Sequence, residues 1–122
     1  MEKHDKDRIV KKLFERFYEE FPSLEKFGES GKKRTEEDIN YHFQYLETAY
    51  KLESIQIFTD YSKWLQDILT SRGLDSFYLV LNFKWLIEEM KETDAEEKNF
   101  YIQALEEGIK VLEALEAEGS QA

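Results

Sequence analysis

Hydrophobic residues recur every three or four positions along most of this chain, which is the spacing that lines one face of an α-helix. In the first such stretch Ile9, Leu13 and Phe17 share a face, with charged residues between them. Four later stretches show the same spacing. The pattern therefore predicts five helices, at about 5–20, from 30–35 to 53, at 54–71, at 76–91 and from 93 to 118.

Turn-forming residues predict how the first two helices are joined. Pro22 is the only proline and should end the first helix, because the residue before a proline is displaced from helical geometry. We expect a short turn at 24–27 and a loop at 28–31, which contains two glycines. Thr35, followed by three acidic residues, is then expected to be the N-cap of the second helix.

Later boundaries rest on glycine and on one capping motif. Gly73 is placed to be the left-handed C-terminal cap of the third helix. Residues 93–96 have the pattern of a capping box, which would begin the fifth helix. Gly119 should end that helix, and we expect flexible ends at 1–4 and 119–122.

The fourth helix is apolar on nearly every side, which is typical of a central helix. Its one polar interruption, Asn82, should either satisfy a buried backbone group or line a pocket. Gly108 lies inside the fifth helix, where glycine is unfavourable, so we expect a close helix contact there. With short connections throughout, these features predict an all-α, single-domain five-helix bundle over 1–122, and a globin-like arrangement is left open.

Composition narrows the classes of function. The chain has 122 residues, of which 15% are aromatic, and a net charge of −10. Such a charge repels nucleic acids and anionic lipids, so neither is an expected partner. There is no cysteine, no apolar run long enough to span a membrane and no signal-like N-terminal segment, so a cytoplasmic protein is expected.

His42 is the main candidate for chemistry. Its helical spacing from Ile39 and Leu46 places it on the apolar face of the second helix. One hypothesis is that it is the axial ligand of a haem or bilin, with Phe43, Tyr45 and Tyr61 as pocket walls. The favoured alternative is a core histidine bonded to a nearby carbonyl or carboxylate.

Other polar clusters give weaker signals. Lys32, Lys33 and Arg34 form the only basic cluster, and the acidic residues around them favour a self-neutralising helix start over an anion site. No pattern of metal ligands is present. An acid–base enzyme that pairs His42 with Asp60 or Asp38 is a third hypothesis, but no catalytic residue and no metal site is predicted.

The aromatic content exceeds what a bundle of this size needs. We therefore expect part of the set Trp64, Trp85, Phe77 and Phe83 to be exposed as an interface. A two-fold homodimer is the commonest way to cover such a surface, so a homodimer is expected.

Four segments carry a resemblance to a known kind of protein. They are Phe27-Gly28-Glu29-x-Gly31, Asp38-Ile39-x-Tyr41-His42-x-x-Tyr45-Leu46, Phe58-x-Asp60-Tyr61-x-x-Trp64-Leu65 and Ser71-Arg72-Gly73. The stretch 17–115 that contains them resembles an uncharacterised all-helical bacterial module, often found ahead of cobalamin-binding-type regulatory domains. The resemblance implies a sensory or regulatory role and a globin-like or bundle fold. It does not imply cobalamin binding, because the Asp-x-His-x-x-Gly signature is absent.

These arguments favour a non-enzymatic sensor or interaction module over the tetrapyrrole-binding and enzymatic alternatives. Such a module would bind a partner protein or a small apolar ligand, and a change in helix packing would carry the signal. The cofactor, if there is one, is not identified by the sequence.

Overall fold

The computed structural model describes residues 1–121, and it describes the side chains of residues 1–118. Of the described residues 86% are helical, and none is in a strand. The all-α prediction is therefore confirmed, with five α-helices and one short 3-10 helix at Pro22–Phe27. The α-helices are α1 (Lys3–Glu20), α2 (Gly28–Lys51), α3 (Ile55–Ser71), α4 (Phe77–Lys91) and α5 (Lys98–Gln121).

Backbone contacts group the chain into two compact units, of which the first is Met1–Gln44 and the second begins at Tyr45. The boundary falls inside α2. The single domain and the globin-like arrangement stay predictions. The expected flexible ends overlap helices, since α1 begins at Lys3 and α5 continues past Gly119 to Gln121, whereas Ala122 lies outside the described residues. No helix in the described part is long and apolar enough to cross a membrane.

The first unit is built on the apolar face of α1. Ile9, Val10, Leu13 and Phe17 are all buried, and they recur at the predicted helical spacing. The helix ends at Glu20, just before Pro22, and the Phe21 amide donates to the Phe17 carbonyl at 2.9 Å. The proline therefore ends α1 as predicted and occupies the first position of the 3-10 helix.

The predicted loop at 28–31 and the predicted N-cap at Thr35 are wrong. The helix α2 begins at Gly28, so Thr35 lies inside it, and the Thr35 hydroxyl donates to the Gly31 carbonyl at 2.9 Å instead of capping an amide. Gly28 and Gly31 are needed for other reasons than a loop. Gly28 adopts a φ of 67°, and a Cβ on Gly31 would lie 2.5 Å from Cβ of Phe27, so the 3-10 helix can run directly into α2.

The second unit shows one correct and one wrong boundary prediction. Gly73 has a φ of 82° and ends α3 with the two hydrogen bonds of a Schellman motif, Gly73 to Thr70 at 3.0 Å and Leu74 to Leu69 at 2.9 Å. The capping box at 93–96 is wrong, because α5 begins only at Lys98. The Thr93 hydroxyl instead donates to the Met90 carbonyl at 3.0 Å, at the end of α4.

Helix α4 is largely buried, as its apolar composition predicts. Nine of its residues are buried: Leu79, Val80, Asn82, Phe83, Trp85, Leu86, Ile87, Glu89 and Met90. Helix α5 packs against both α4 and α3. The last turns of α2 also reach α5, since the Tyr50 ring meets those of Phe100 and Tyr101 edge-on, at centroid distances of 5.5 and 6.2 Å.

The close contact expected at Gly108 is confirmed. A Cβ at this position would lie 3.0 Å from Cε2 of Phe83, 3.0 Å from Oγ of Ser62 and 3.1 Å from Cε2 of Phe58. Three side chains from α3 and α4 therefore occupy the space that a larger residue on α5 would need. The two rings are themselves in contact, with centroids 5.2 Å apart.

We predict that Gly108→Ala lowers the free energy of unfolding by up to about 2 kcal/mol. Alanine gains about 1 kcal/mol of helix propensity, but overpacking a core costs about 1–3 kcal/mol when the neighbouring side chains cannot move aside. Phe58 and Phe83 are fully buried and have little freedom to move. Urea denaturation followed by circular dichroism measures the change.

A second variant identifies the contact that is responsible. Ser62 Oγ is one of the three nearest atoms, so Ser62→Ala should recover part of the stability that Gly108→Ala loses. A gain of about 1 kcal/mol from Gly108→Ala alone, which is the full propensity difference, would show that the helices are not in tight contact there.

Candidate functional site

His42 is fully buried on α2, on the face that its spacing from Ile39 predicts. Burial in apolar surroundings lowers the pKa of His42 to about 3, because removal from water penalises the charged ring. The imidazole is therefore neutral at pH 7. A neutral imidazole is the form that both a core histidine and a metal ligand require.

The packing around His42 bears on the tetrapyrrole hypothesis. An axial histidine needs open space beside one ring nitrogen, where the metal lies. The exposed fraction of His42 is 0%, so no water-sized gap adjoins its side chain. A haem or bilin could be bound only if the helices around the ring separated. The role of His42 as a ligand stays a prediction.

The four residues proposed for the pocket divide between the two units. His42 and Phe43 are buried in the first unit. Tyr45 and Tyr61 belong to the second unit, where their rings stack with centroids 4.1 Å apart and planes 13° from parallel. The structure therefore brings Tyr45 and Tyr61 together as a pair, joining the last turns of α2 to α3.

This stacked pair is part of a larger surface. Tyr45 is 36% exposed and Trp64 is 55% exposed, whereas Tyr61, which contacts both rings, is only 3% exposed. The Tyr61 and Trp64 centroids are 6.3 Å apart. We name these three residues the aromatic face. Sequence reasoning placed the tyrosines in a pocket and the tryptophan in an interface, and it missed that they form one surface, because Tyr45 lies on a different helix from the other two.

Ring contacts connect the aromatic face to the core of the second unit. Tyr61 lies 5.6 Å from Phe58, and Phe58 lies 5.2 Å from Phe83, measured between centroids. Phe58 and Phe83 are the two rings that approach Gly108. The exposed rings are thus held on a rigid base, which lowers the entropy lost when a partner fixes them.

Of the four aromatic residues predicted to include an interface, half are exposed. Trp64 and Phe77 are 55% and 50% exposed, while Trp85 and Phe83 are buried. Phe77 lies at the first position of α4 and packs edge-on against Tyr78, at a centroid distance of 5.6 Å. It is an exposed aromatic residue outside the aromatic face, and therefore a natural control for Trp64.

The basic cluster is neutralised at its first residue, as expected. Lys32 Nζ lies 3.0 Å from a Glu25 carboxylate oxygen and 3.7 Å from one of Glu29, and it sits 5.7 Å from the centroid of the Tyr18 ring. The hydrogen bond to Glu25 raises the pKa of Lys32. These contacts tie the 3-10 helix and α1 to the start of α2.

The remaining acidic candidates are spread out. Asp38 is half-buried in the first unit, and Asp60 is exposed on α3 in the second. Within the described residues no three His, Asp or Glu side chains are grouped so that they could hold a metal ion. The pairing of either aspartate with His42 stays a prediction.

Asn82 is buried in α4, and its Oδ1 atom has no hydrogen-bond partner among the described residues. That oxygen therefore does not satisfy a backbone amide, which was one of the two roles expected for this side chain. An unpaired buried oxygen costs stability, because it has lost its water.

Comparisons with known proteins returned no relatives. No protein-family model matches the chain, and no significant match was found among curated proteins or solved structures. The resemblance to an all-helical bacterial module stays a prediction.

We predict that the buried His42 makes the protein sensitive to acid. The folded-state pKa of His42 lies below the ordinary value of 6.5. Below pH 6.5 the His42 ring is therefore protonated in the unfolded chain but stays neutral in the folded chain. Stability contributed by the neutral ring is complete above pH 6.5 and decreases by about 1.4 kcal/mol per pH unit below it, until pH 3. Urea denaturation at pH 7.5 and pH 5.0 measures the loss, which should be about 2 kcal/mol from this residue.

The chain offers a matched control, since His4 is its only other histidine and is exposed. His4→Gln should keep the acid sensitivity, whereas His42→Gln should reduce it, even if it lowers stability at pH 7.5. If His42→Gln keeps the same difference in stability between the two pH values, another group is responsible for the acid sensitivity. NMR titration of the wild-type imidazole signals gives a direct second measurement of the His42 pKa.

We predict that Asn82→Leu raises the free energy of unfolding by about 1 kcal/mol, since it replaces an amide with an unpaired oxygen by an apolar side chain of similar size. Thermal and urea denaturation measure the gain. Asn40→Leu is the control, because the Asn40 amide donates to the Glu36 carbonyl at 3.0 Å and should not be improved by removal. A loss of stability in Asn82→Leu would mean that the rest of the amide is well paired.

Proposed function

We propose that this protein is a non-enzymatic interaction module of the regulatory type and that it binds a partner protein through the aromatic face. The observation that carries the proposal is the arrangement of Tyr45, Tyr61 and Trp64. Two exposed rings are fixed against a third, buried ring that belongs to the core.

The physical chemistry of these side chains supports a binding role. Tryptophan and tyrosine dominate the energetics of protein interfaces, because each buries a large area and has few rotatable bonds. Leaving the indole of Trp64 more than half exposed forgoes that burial in the free protein. A partner that covers the aromatic face would recover it, while the hydroxyl of Tyr45 remains able to hydrogen-bond at the rim.

The same face suggests how binding could be transmitted. Tyr45 lies on α2, whereas Tyr61 and Trp64 lie on α3. A partner that contacts both exposed rings binds across two helices and favours the helix arrangement in which the rings stack. Through Phe58, that arrangement is linked to the contact at Gly108. A change in helix packing is the signal that the sequence led us to expect, and here the proposal assigns it to α2 and α3.

The test is site-specific photo-crosslinking. The photoreactive residue p-benzoylphenylalanine is introduced at position 63 in one variant, which leaves Trp64 intact, and at position 77 in another, and each is irradiated in an extract of the native host. We expect a discrete cross-linked protein at position 63 and none at position 77, because both positions are exposed but only the first adjoins the aromatic face. Equal products at both positions, or none at position 63, would contradict the proposal.

Native mass spectrometry with an absorbance scan of the same sample tests the alternatives. A dimer of the bare chain would support the predicted homodimer. Added mass with a Soret-like band would favour the tetrapyrrole hypothesis and make His42 the next residue to substitute.

A further inference from the structure

The net negative charge of the chain is concentrated in one unit. Residues 1–44 contain ten basic and eleven acidic side chains, a net charge of −1. Residues 45–122 contain seven basic and sixteen acidic side chains, a net charge of −9. The aromatic face therefore belongs to the strongly acidic unit, whose field attracts positively charged partners and repels negative ones.

The exposed charges nearest Trp64 on α3 are also net negative. Asp60 and Asp67 lie one turn before and one turn after Trp64 on α3, and both are exposed. Positions three or four residues apart share a helix face, so the indole lies between two carboxylates. Lys63 follows Asp60 by three residues and precedes Asp67 by four, so it lies on the same side of α3 and leaves a net charge of −1 among these three side chains.

We propose that the aromatic face binds a basic amphipathic helix of a different protein. This proposal rests on the interaction function proposed above and specifies the partner. An apolar residue of the helix would cover Trp64 and Tyr45, and lysine or arginine side chains on either side would pair with Asp60 and Asp67. A second copy of this unit is disfavoured, because each copy carries a net charge of −9 and like charges repel.

The spacing of the carboxylates favours a helix over an extended segment. Asp60 and Asp67 are seven residues apart on α3, which corresponds to about 10.5 Å along the helix axis. Basic residues seven apart on a partner helix have the same spacing and lie on one face. In a strand, a similar distance separates residues about three apart, and these point to opposite sides.

The aromatic rings and the two carboxylates should contribute differently to the affinity for the partner helix. Contacts with exposed carboxylates at a rim contribute little to affinity, and salt weakens them further. The buried area on Trp64 should therefore supply most of the affinity, and Asp60 and Asp67 should supply the preference for a basic partner, faster association and sensitivity to salt.

The experiment uses three synthetic helical peptides of about 18 residues with the same leucine face and with lysine, glutamine or glutamate on the opposite face. Fluorescence anisotropy of the labelled peptides measures binding to the full chain at about 50 and 300 mM salt. We expect the lysine peptide to bind most tightly and to weaken at high salt. Trp64→Ala should weaken it by about tenfold or more, and Phe77→Ala by less than about twofold.

Matched charge variants separate the local from the general attraction. The test variant removes two exposed carboxylates seven residues apart on α3, through Asp60→Asn and Asp67→Asn. The control variant removes two exposed carboxylates with the same spacing on α5, through Glu106→Gln and Glu113→Gln. Only the first pair should weaken the lysine peptide by about threefold or more and reduce its salt dependence. Equal effects of both pairs, or no binding of the lysine peptide, would overturn the proposal.

Failure of this proposal can be distinguished from failure of the proposed function. If the glutamine or glutamate peptide binds as tightly as the lysine peptide and Trp64→Ala weakens it, the aromatic face is a binding surface and the basic partner is wrong. If Trp64→Ala changes no peptide affinity and position 63 gives no cross-linked product, both proposals are wrong.

Discussion

The second unit depends on how closely α5 approaches α3 and α4 at Gly108. The rings of Phe58 and Phe83 and the hydroxyl of Ser62 occupy the volume that any side chain at position 108 would fill. Removing the side chain costs helix propensity, but it allows one helix to contact two others through fully buried aromatic rings. Other features of the unit depend on this close approach. Among them are the ring contacts that run from Phe83 through Phe58 to Tyr61 and on to the surface.

The aromatic face can be understood as the outer end of this core. Tyr61 is buried and packs on Phe58, and the exposed rings of Tyr45 and Trp64 each contact the Tyr61 ring. The exposed rings are therefore fixed in place by interior packing. His42 differs from them, since its neutral and fully enclosed ring contributes to stability whatever further role it has.

Much of the fold could be predicted from the sequence, because helical periodicity follows directly from burial. The five helices, the burial of α4, the cap at Gly73 and the contact at Gly108 all follow from local spacing or from a residue with unusual steric needs. The wrong helix boundaries were predicted at threonines, whose hydroxyl can form two different kinds of hydrogen bond. Thr35 and Thr93 could each cap an amide or bond to a preceding carbonyl, and only the surrounding chain selects the second.

The site was harder to predict for a related reason. Tyr61 and Trp64 are three residues apart, so their proximity on α3 is visible in the sequence. Tyr45 joins them through contact between two helices, which no local pattern records. The charges can be counted in the sequence, but the difference in net charge between the two units is seen only when the chain is divided at Tyr45. That division falls inside the continuous helix α2, so no linker marks it in the sequence.

The placement of the two tryptophans has a spectroscopic consequence. Trp64 is exposed and contacts Tyr61, which stacks on Tyr45, whereas Trp85 is buried in α4. Emission from Trp64 should be shifted to longer wavelengths and quenched by dissolved iodide, and emission from Trp85 should be neither. Light absorbed by Tyr45 and Tyr61 should pass efficiently to Trp64 at such short distances. The unmodified protein thus contains one fluorophore that reports on its surface and a second that reports on its interior.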